Sequence, residues 1–464
     1  MRRLALLLFA GVPSLVQAQG FSVYEHNTCA MARGGAAVAS PCADGSALWF
    51  NPAGLAGLSG THLSAGGTLI HPFGNFTDDY TATQTDMPDQ NYLVPNLFIT
   101  HAVTSKFGVG FGIFAPYGLG TKWPTTFLGR FAGYNTSIKT IYFQPTIAYQ
   151  ITPKLSVGGA LAYVHSSLEL HQRVDLSAQP LPPALDGALG LPVGTLFSAL
   201  GIQTGTDAAD AVLTATGNTI TAHFGVLYKA TSALTLGLRY LMGRTISYSG
   251  SANFTELPTG DTLAAGATPL NPSTPLPVDL LVATQFLPDS AFANGTATTH
   301  VRMPAQVVLG AAYTVTPKWS VMSDVQYTRW RDFSTLNINF ANPATPDRHV
   351  IEGYKDTWAL RLGTEYQWRP KVTVRAGYLT HSAAAPAQTV TPLLPEGPRN
   401  EFTIGIGTPI TPALHLDLAY QYIRQQSRRG RVTEPASGPP TTAMNSGLYN
   451  FKAHLFGLGV AYTF

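Results

Sequence analysis

Apolar and polar residues alternate with a period of two along most of the chain after residue 60. The last ten residues show this most clearly, because Phe456, Leu458, Val460, Tyr462 and Phe464 share one face while mostly small residues share the other. Side chains of a β-strand point to opposite faces in turn. A large apolar face opposite a small one is typical of a membrane barrel wall between lipid and interior.

Six tight turns divide the alternating runs into hairpins. They lie at residues 103–106, 151–154, 230–233, 315–318, 368–371 and 410–413, and four of them contain proline. Six hairpins, one strand before them and one strand after them predict fourteen antiparallel strands, an even number as in single-chain bacterial barrels. The predicted strands are residues 61–71, 92–102, 107–116, 139–150, 155–170, 217–229, 234–252, 298–314, 319–333, 354–367, 372–382, 399–409, 414–427 and 447–464.

The connections at the other end of the barrel are longer, which predicts that they are extracellular and that the short turns are periplasmic. Two of them, about residues 171–216 and 253–297, are rich in Pro, Ala, Leu and Gly and poor in charge. Such loops either pack as a lid over the barrel mouth or offer an apolar surface to a ligand. Their composition leaves both interpretations open.

Composition and the first residues indicate export to a bacterial outer membrane. Charged residues make up 11% of the chain, against roughly 25% in ordinary soluble proteins, yet no apolar stretch is long enough for a membrane helix. Arg2, Arg3, an apolar run and small residues before Gln19 predict a signal peptide over residues 1–18. The net charge of +3 gives no reason to expect a nucleic-acid partner.

Residues 19–60 do not alternate and are rich in small and apolar residues. They are too apolar for a disordered tail, so we expect a plug inside a barrel formed by residues 61–464. In an exported protein, the pair Cys29 and Cys42 in this segment favours a disulfide over free thiols. That bond would restrain the unfolded segment by about 3 kcal/mol. A metal site, the alternative, would need more Cys or His ligands.

The run from Ala47 to Leu55, Ala-Leu-Trp-Phe-Asn-Pro-Ala-Gly-Leu, resembles the hatch of the FadL-type outer-membrane transporters. Residues 114–118, 129–131, 144–149, 319–330 and 451–464 are similar to that family too. The resemblance implies that Asn51, Pro52 and Ala53 belong to the plug, and that the protein carries long-chain fatty acids or aromatic and other hydrocarbons. The cysteine pair departs from the best-known members and would stiffen this plug.

Gly108, Gly110 and Gly112 occupy alternate positions of the third predicted strand. Glycine within a strand often marks a bend or the close approach of another backbone. One interpretation is contact with the plug. The resemblance implies another, a kink that opens the wall sideways to the membrane. An apolar ligand would favour that exit because burial gains about 0.8 kcal/mol for each CH₂ group.

Charged side chains are predicted on the inner face of six successive strands. They include Arg302, Asp324, Arg361, Glu365, Arg375, Glu401 and Asp417, with Arg239 on an earlier strand. Salt bridges within the wall are one interpretation. The other is that one unpaired cation among Arg239, Arg302, Arg361, Arg375 and Lys139 binds a fatty-acid carboxylate, which arginine can hold with two hydrogen bonds.

No catalytic motif of the Gly-x-Ser-x-Gly, His-Glu-x-x-His or P-loop type is present. His165 and Ser166 are adjacent in one predicted strand, so they face opposite sides and cannot act together. We therefore expect a monomeric barrel, not an enzyme, without cofactor or metal. It would move a hydrophobic small molecule passively across the outer membrane while surrounded by its lipid. A general porin and an adhesin or structural barrel are the alternatives.

Overall fold

The structure, a computed structural model, describes residues 20–433 and 439–464. The predicted signal peptide and Gln19 lie outside the described residues. None of the helices in this part of the chain is long and apolar enough to cross a membrane.

Fourteen antiparallel strands form a closed barrel, in which β1 pairs with β14 from His62 opposite Thr463 to Asp78 opposite Gly447. The strands are Thr61–Asp78 (β1), Tyr92–Ala102 (β2), Phe107–Phe114 with Gly118–Lys122 (β3), Asn135–Thr152 (β4), Leu155–Asp175 (β5), Asp207–Lys229 (β6), Leu234–Leu241 with Arg244–Glu256 (β7), Gly295–Met303 with Gln306–Thr316 (β8), Trp319–Thr328 with Thr335–Phe340 (β9), Thr357–Arg369 (β10), Val372–His381 (β11), Arg399–Pro409 (β12), Leu414–Gln425 (β13) and Gly447–Thr463 (β14). The predicted strand number and order are confirmed.

Two neighbouring strands, β7 and β8, are each interrupted where the sequence predicted a continuous run. The breaks lie at residues 242–243 and 304–305, and Pro304 cannot donate to a sheet ladder. The break in β8 shifts the alternation by one residue, since Gln306 and Met303 are both buried on the inner side. The prediction that Arg302 points inward is therefore wrong. It lies on the outer face, 3.5 Å from Asp332.

Most residues from 20 to 56 are buried, and many of them contact the inner face of the wall; we call residues 20–60 the plug. Its short helices are Thr28–Met31 and Ala47–Phe50, followed by a 3-10 helix, Pro52–Gly57. Cys29 and Cys42 are joined by a disulfide. On the wall opposite, a side chain at Gly459 would lie 2.9 Å from the hydroxyl of Thr28. The small inner face of β14 therefore leaves room for the plug.

The two long apolar connections pack against each other. They carry two short helices, Pro183–Leu189 and Asp279–Val282, and a two-stranded sheet of Thr262–Leu263 and Leu276–Pro277. Their shared core contains Leu176, Leu181, Leu189, Phe197, Leu263, Val278, Leu281 and Val282. Most of their apolar residues thus stabilise a cap on the barrel, although Val193 remains 80% exposed.

Candidate functional site: a lumen cavity and a gap in the wall

The side chain of Asn51 forms hydrogen bonds both with other residues of the plug and with the barrel wall. Its side-chain oxygen accepts a hydrogen bond from the backbone N–H of Ala53 (3.1 Å) and so caps the 3-10 helix, in which Pro52 occupies the first turn. Asparagine before proline suits such a start, because proline has no N–H to satisfy there. The Asn51 amide also donates to the carbonyls of Val38 in the plug (2.8 Å) and Val226 in β6 (3.0 Å).

Two polar wall side chains hold the backbone of the plug on the opposite side. One oxygen of Asp324 accepts hydrogen bonds from the N–H groups of Ala37 (2.9 Å) and Val38 (3.0 Å). The hydroxyl of Thr403 accepts from Gly34 (3.0 Å) and donates to a neighbouring plug carbonyl (3.1 Å). The plug is therefore fixed to strands on several sides of the barrel.

The glycines of β3 face the plug. A side chain at Gly108 would lie 2.6 Å from the carbonyl oxygen of Leu55, and one at Gly110 would meet the Leu55 side chain at 3.1 Å. Through Gly108, Gly110 and Gly112 the strand keeps its pairing with both neighbours. The predicted kink is therefore not at these glycines. Strand β3 breaks after Phe114, at residues 115–117, where Pro116 lacks the N–H that a ladder requires.

Beyond this break the wall has a gap between β2 and β3. The ladder between them ends at Leu97 opposite Ile113. Further along, residues 92–96 pair only with β1, and Gly118–Lys122 pairs only with β4. The ring of Tyr92 lies across the gap against Gly120, where it leaves no room for a side chain.

The start of the plug takes the place of β2 beside the broken strand. The N–H of Val23 donates to the carbonyl of Pro116 (2.9 Å), and the N–H of Gly118 donates to the carbonyl of Phe21 (3.0 Å). Plug residues 21–23 are thus hydrogen-bonded directly to the residues that flank the break.

A cavity of about 340 Å³ lies in the lumen beside the start of the plug and reaches into the gap. Its wall is mainly apolar and includes Ile70, Val94, Leu379, Ile423 and Leu455. Leu93 and Lys139, both exposed, line it at its outer end. The cavity therefore leads from the lumen to the lipid-facing side of the barrel, and its volume is in the range of small-ligand sites.

One end of this cavity is polar. Arg399 donates to the side-chain oxygen of Gln425 (3.3 Å) and lies 5.5 Å from the ring of Phe451. His381 and Glu401 line the same end, with Nε2 of His381 2.8 Å from Oε1 of Glu401. Arg399 forms no ion pair with any described residue. Its charge interacts with the neighbouring Glu401 carboxylate without a direct contact, and its guanidinium lines the cavity, where an anion could reach it.

Glu25 of the plug also borders the polar end. Burial raises the pKa of Glu25, and the neighbouring Glu401 raises it further. A hydrogen bond from the amide of Gln421 to Glu25 (3.0 Å) and one from the N–H of Tyr24 (2.8 Å) act in the opposite direction. A second carboxylate in the cavity would be repelled by ionised Glu25 and attracted by Arg399.

Three of the five predicted carboxylate-binding residues are inward but occupied. The guanidinium of Arg239 lies 4.3 Å from the ring of Trp49, and that of Arg361 lies 4.1 Å from the ring of Tyr24. Both are in contact with the plug and almost fully buried. Arg375 is paired with Glu365 and Asp417. The salt-bridge interpretation thus describes Arg375, while the other two arginines support aromatic rings of the plug.

The remaining two candidates are on the outer face. Arg302 is paired with Asp332, as described above, and Lys139 is at the outer end of the gap. Sequence reasoning missed Arg399, although the signal was available: it stands two residues before Glu401, and the same alternation places both inward.

Comparison with known proteins identifies the family. The profile described as "Outer membrane protein transport protein (OMPP1/FadL/TodX)" matches residues 9–464. The chain belongs to this family. The predicted outer-membrane location is thereby confirmed, and so is the expectation of a transport protein instead of an enzyme.

Relatives of this FadL-family chain cover nearly its whole length. The 47 kDa outer membrane protein of Pasteurella multocida is 24% identical over 99% of this chain and 97% of its own. The long-chain fatty acid transport protein of Salmonella typhi is 24% identical over 96% of this chain and 94% of its own.

Solved structures share the fold. A Pseudomonas aeruginosa FadL homologue has a TM-score of 0.78 at 19% identity, covering 96% of this chain and 100% of its own. The P. putida toluene transporter TodX has a TM-score of 0.67 at 21% identity, covering 97% and 99%.

The FadL-family barrel holds a second cavity, of about 1060 Å³, beneath the cap of long loops. Aromatic and aliphatic residues line it, among them Leu128, Phe131, Leu170, Phe254, Phe292 and Phe340. Six charged residues line it as well: Asp78, Arg130, Arg173, Asp175, Asp347 and Arg348. Arg130 is paired with Asp207 at 2.8 Å, and Arg173 lies 3.9 Å from Asp210. The cavity thus offers a mainly apolar surface with several charged groups at the mouth of the barrel.

Proposed function

We propose that this FadL-family transporter carries a long-chain fatty acid, a molecule with an extended apolar chain and one carboxylate. The observation that carries the proposal is Arg399, a cation without an ion pair among the described residues, at the polar end of an otherwise apolar cavity. Arginine binds a carboxylate through two parallel hydrogen bonds. The name of the Salmonella typhi relative, long-chain fatty acid transport protein, supports the same cargo.

The proposed route has three stages. The ligand first collects in the apolar cavity under the cap, then enters the lumen cavity, and finally leaves between β2 and β3 into the membrane. A side exit is energetically favourable because each CH₂ group moved from water to lipid gains about 0.8 kcal/mol. An exit through the periplasmic end would instead expose the chain to water.

Ligand binding and opening of the gap are coupled in this proposal. A ligand in the lumen cavity contacts plug residues 21–25, which line it. The same stretch holds the break of β3 through Val23 and Phe21. A displacement of this stretch releases residues 116–118, and rotation of the Tyr92 ring then opens the path. One chain contains the whole path, so the barrel acts as a monomer.

Arg399→Gln tests the choice of cargo. A hydrogen bond to a charged group contributes about 1.5–3 kcal/mol, so oleate should bind the variant at least about tenfold more weakly. Toluene should bind it as tightly as it binds the natural chain. Arg329→Gln removes an equal charge from the outer surface and should leave both affinities unchanged. Equal oleate binding to the natural chain and to Arg399→Gln would exclude the proposed carboxylate site.

A neutral aromatic hydrocarbon is the second candidate cargo. Aromatic side chains border the lumen cavity, including Phe21, Tyr117 and Phe451, and rings of this kind pack well against a monoaromatic ligand. The toluene transporter TodX of P. putida has the same fold. Tight toluene binding together with oleate binding that is insensitive to Arg399→Gln would favour this candidate.

A further inference from the structure

The outer face of β12, β13, β14 and β1 changes character along the strands. Cross-strand register arranges it in rows: Ile406, Leu418, Leu458 and Gly67; then Ile404, Tyr420, Phe456 and Leu69; then Phe402, Tyr422, His454 and His71; then Asn400, Arg424, Lys452 and Phe73. Aliphatic residues thus give way to aromatic residues and then to two cations. The same order, from acyl chains through interface to head groups, occurs in a membrane leaflet.

The two cations face each other directly. Arg424 and Lys452 are cross-strand partners, and both are exposed. Neither forms an ion pair or a side-chain hydrogen bond with any residue in the described ranges, 20–433 and 439–464. Like charges directly opposite each other on neighbouring strands destabilise a sheet. Two other exposed cations are paired, Arg429 with Asp79 and Arg331 with Asp356, whereas Lys122, Lys139 and Arg244 form no ion pair with a described residue.

Polar groups continue above the cations. Asn450, the next outward residue of β14, donates to the side-chain oxygen of Asn75 in β1 (2.9 Å). It also accepts from the hydroxyl of Ser427. A molecule bound here would therefore meet amides and hydroxyls above Arg424 and Lys452 and aromatic rings below them.

We propose that Arg424 and Lys452 bind a phosphate group of lipid A, the phosphorylated glycolipid of the outer leaflet. The phosphate lies between the two cations and removes their repulsion. The acyl chains lie over Tyr422, Tyr420 and Phe456, and the sugar meets Asn450 and Asn75. This site is on the outer surface and is independent of the cargo carried through the lumen.

A binding measurement tests the charge requirement. Purified barrels in detergent are titrated with lipid A and analysed by native mass spectrometry. Each cation near an anionic lipid surface strengthens binding by about fivefold. The double variant R424Q/K452Q should therefore bind lipid A about thirtyfold more weakly than the natural chain. K154Q/K318Q removes the same charge at the short turns of the opposite end and should bind normally. The proposal would be overturned if both double variants bound lipid A equally weakly, or if both bound it as tightly as the natural chain. It would also be overturned if inorganic phosphate displaced lipid A when present at the same concentration.

A stability measurement tests the repulsion separately. Lys452→Glu replaces the like-charge pair by an ion pair, so in detergent without lipid the variant should melt at a higher temperature than the natural chain. Lipid A should raise the melting temperature of the natural chain and no longer raise that of Lys452→Glu. If lipid A stabilises both proteins equally, the two cations are not its binding site.

Discussion

Removal of the Asp324 carboxylate should loosen the plug. Asp324 is 1% exposed, and a single oxygen accepts both N–H groups of Ala37 and Val38. Asp324→Ala leaves these two amides without their partner. It also removes a carboxylate that interacts electrostatically with Arg239 and Arg361, which are both buried.

The magnitude follows from the two hydrogen bonds. A hydrogen bond to a charged group contributes about 1.5–3 kcal/mol, so the alanine variant should lose roughly 3–6 kcal/mol of plug stability. Asp324→Asn keeps an acceptor oxygen at the same place but no charge. Neutral bonds contribute about 0.5–1.5 kcal/mol each, so asparagine should recover roughly a third to a half of the loss. Plug stability should therefore decrease from the natural chain to Asp324→Asn and then to Asp324→Ala. The first step measures the contribution of the charge, and the second measures that of the acceptor oxygen.

Hydrogen exchange followed by mass spectrometry measures the effect at the plug itself. Amides of residues 35–39 should lose protection by about tenfold for each 1.4 kcal/mol of local stability. A looser plug should also give brief openings in planar bilayers. Asp332→Ala is the matched control, because Asp332 lies on the outer surface and contacts Arg302 and Arg329 instead of the plug.

The result that would refute this reasoning is specific. If the amides of Ala37 and Val38 exchange no faster in Asp324→Ala than in Asp332→Ala, the carboxylate does not anchor the plug. Faster exchange throughout the barrel strands would instead report a general loss of stability, and the Asn variant would then behave like Ala.

Three further predictions concern the gap, pH and the disulfide. Tyr92→Ala should raise the rate of fatty-acid uptake by cells, because the Tyr92 ring covers the gap. The control Tyr149→Ala, on the lipid-facing side of β4, should leave the rate unchanged. Equal uptake by the natural chain and both variants would exclude Tyr92 as a gate. Burial lowers the pKa of His26 to about 3, below the ordinary 6.5, so the plug loses stability as pH falls below 6.5, by about 2 kcal/mol at pH 5. Bilayer leak should therefore rise between pH 7 and pH 5 in the natural chain and rise less in His26→Phe; the same rise in both would contradict the assignment. Reduction, or Cys29→Ser with Cys42→Ser, should increase hydrogen exchange of residues 30–41, and unchanged exchange would show that the bond does not constrain the plug.

The strands could be predicted because a two-sided wall imposes its period on the sequence. Because lipid lies outside the wall and the packed plug lies inside it, nearly every outward position favours a large apolar side chain and nearly every inward position a small or polar one. Strand β14 shows this pattern. The alternation loses its predictive value where the wall itself is irregular. Residues 242–243 and 304–305 shift the alternation, and local composition does not reveal a shift of one residue, so the pattern places Arg302 on the wrong face.

The functional site was harder to predict because it depends on contacts between distant segments. The glycines of β3 were conspicuous, yet what they accommodate is Leu55 of the plug, fifty residues earlier. The actual break depends on Pro116 together with the bonds from Phe21 and Val23. Which arginine is free could not be read from charge alone, because Arg239 and Arg361 are taken up by plug aromatics and Arg399 is not.

In a barrel with a filled lumen and a gap in its side, permeability to a nutrient does not require permeability to water-soluble toxins, whereas in an open pore the two occur together. In an open pore any solute below the pore diameter passes, so permeability to nutrients brings permeability to water-soluble toxins. Here a polar solute meets buried plug backbone held by Asn51, Asp324 and Thr403, whatever its size. On the proposed route, an apolar solute needs only the path past Tyr92. Selection would then be made by solubility in lipid, and a cell could admit such molecules while its outer membrane remains a barrier to antibiotics dissolved in water.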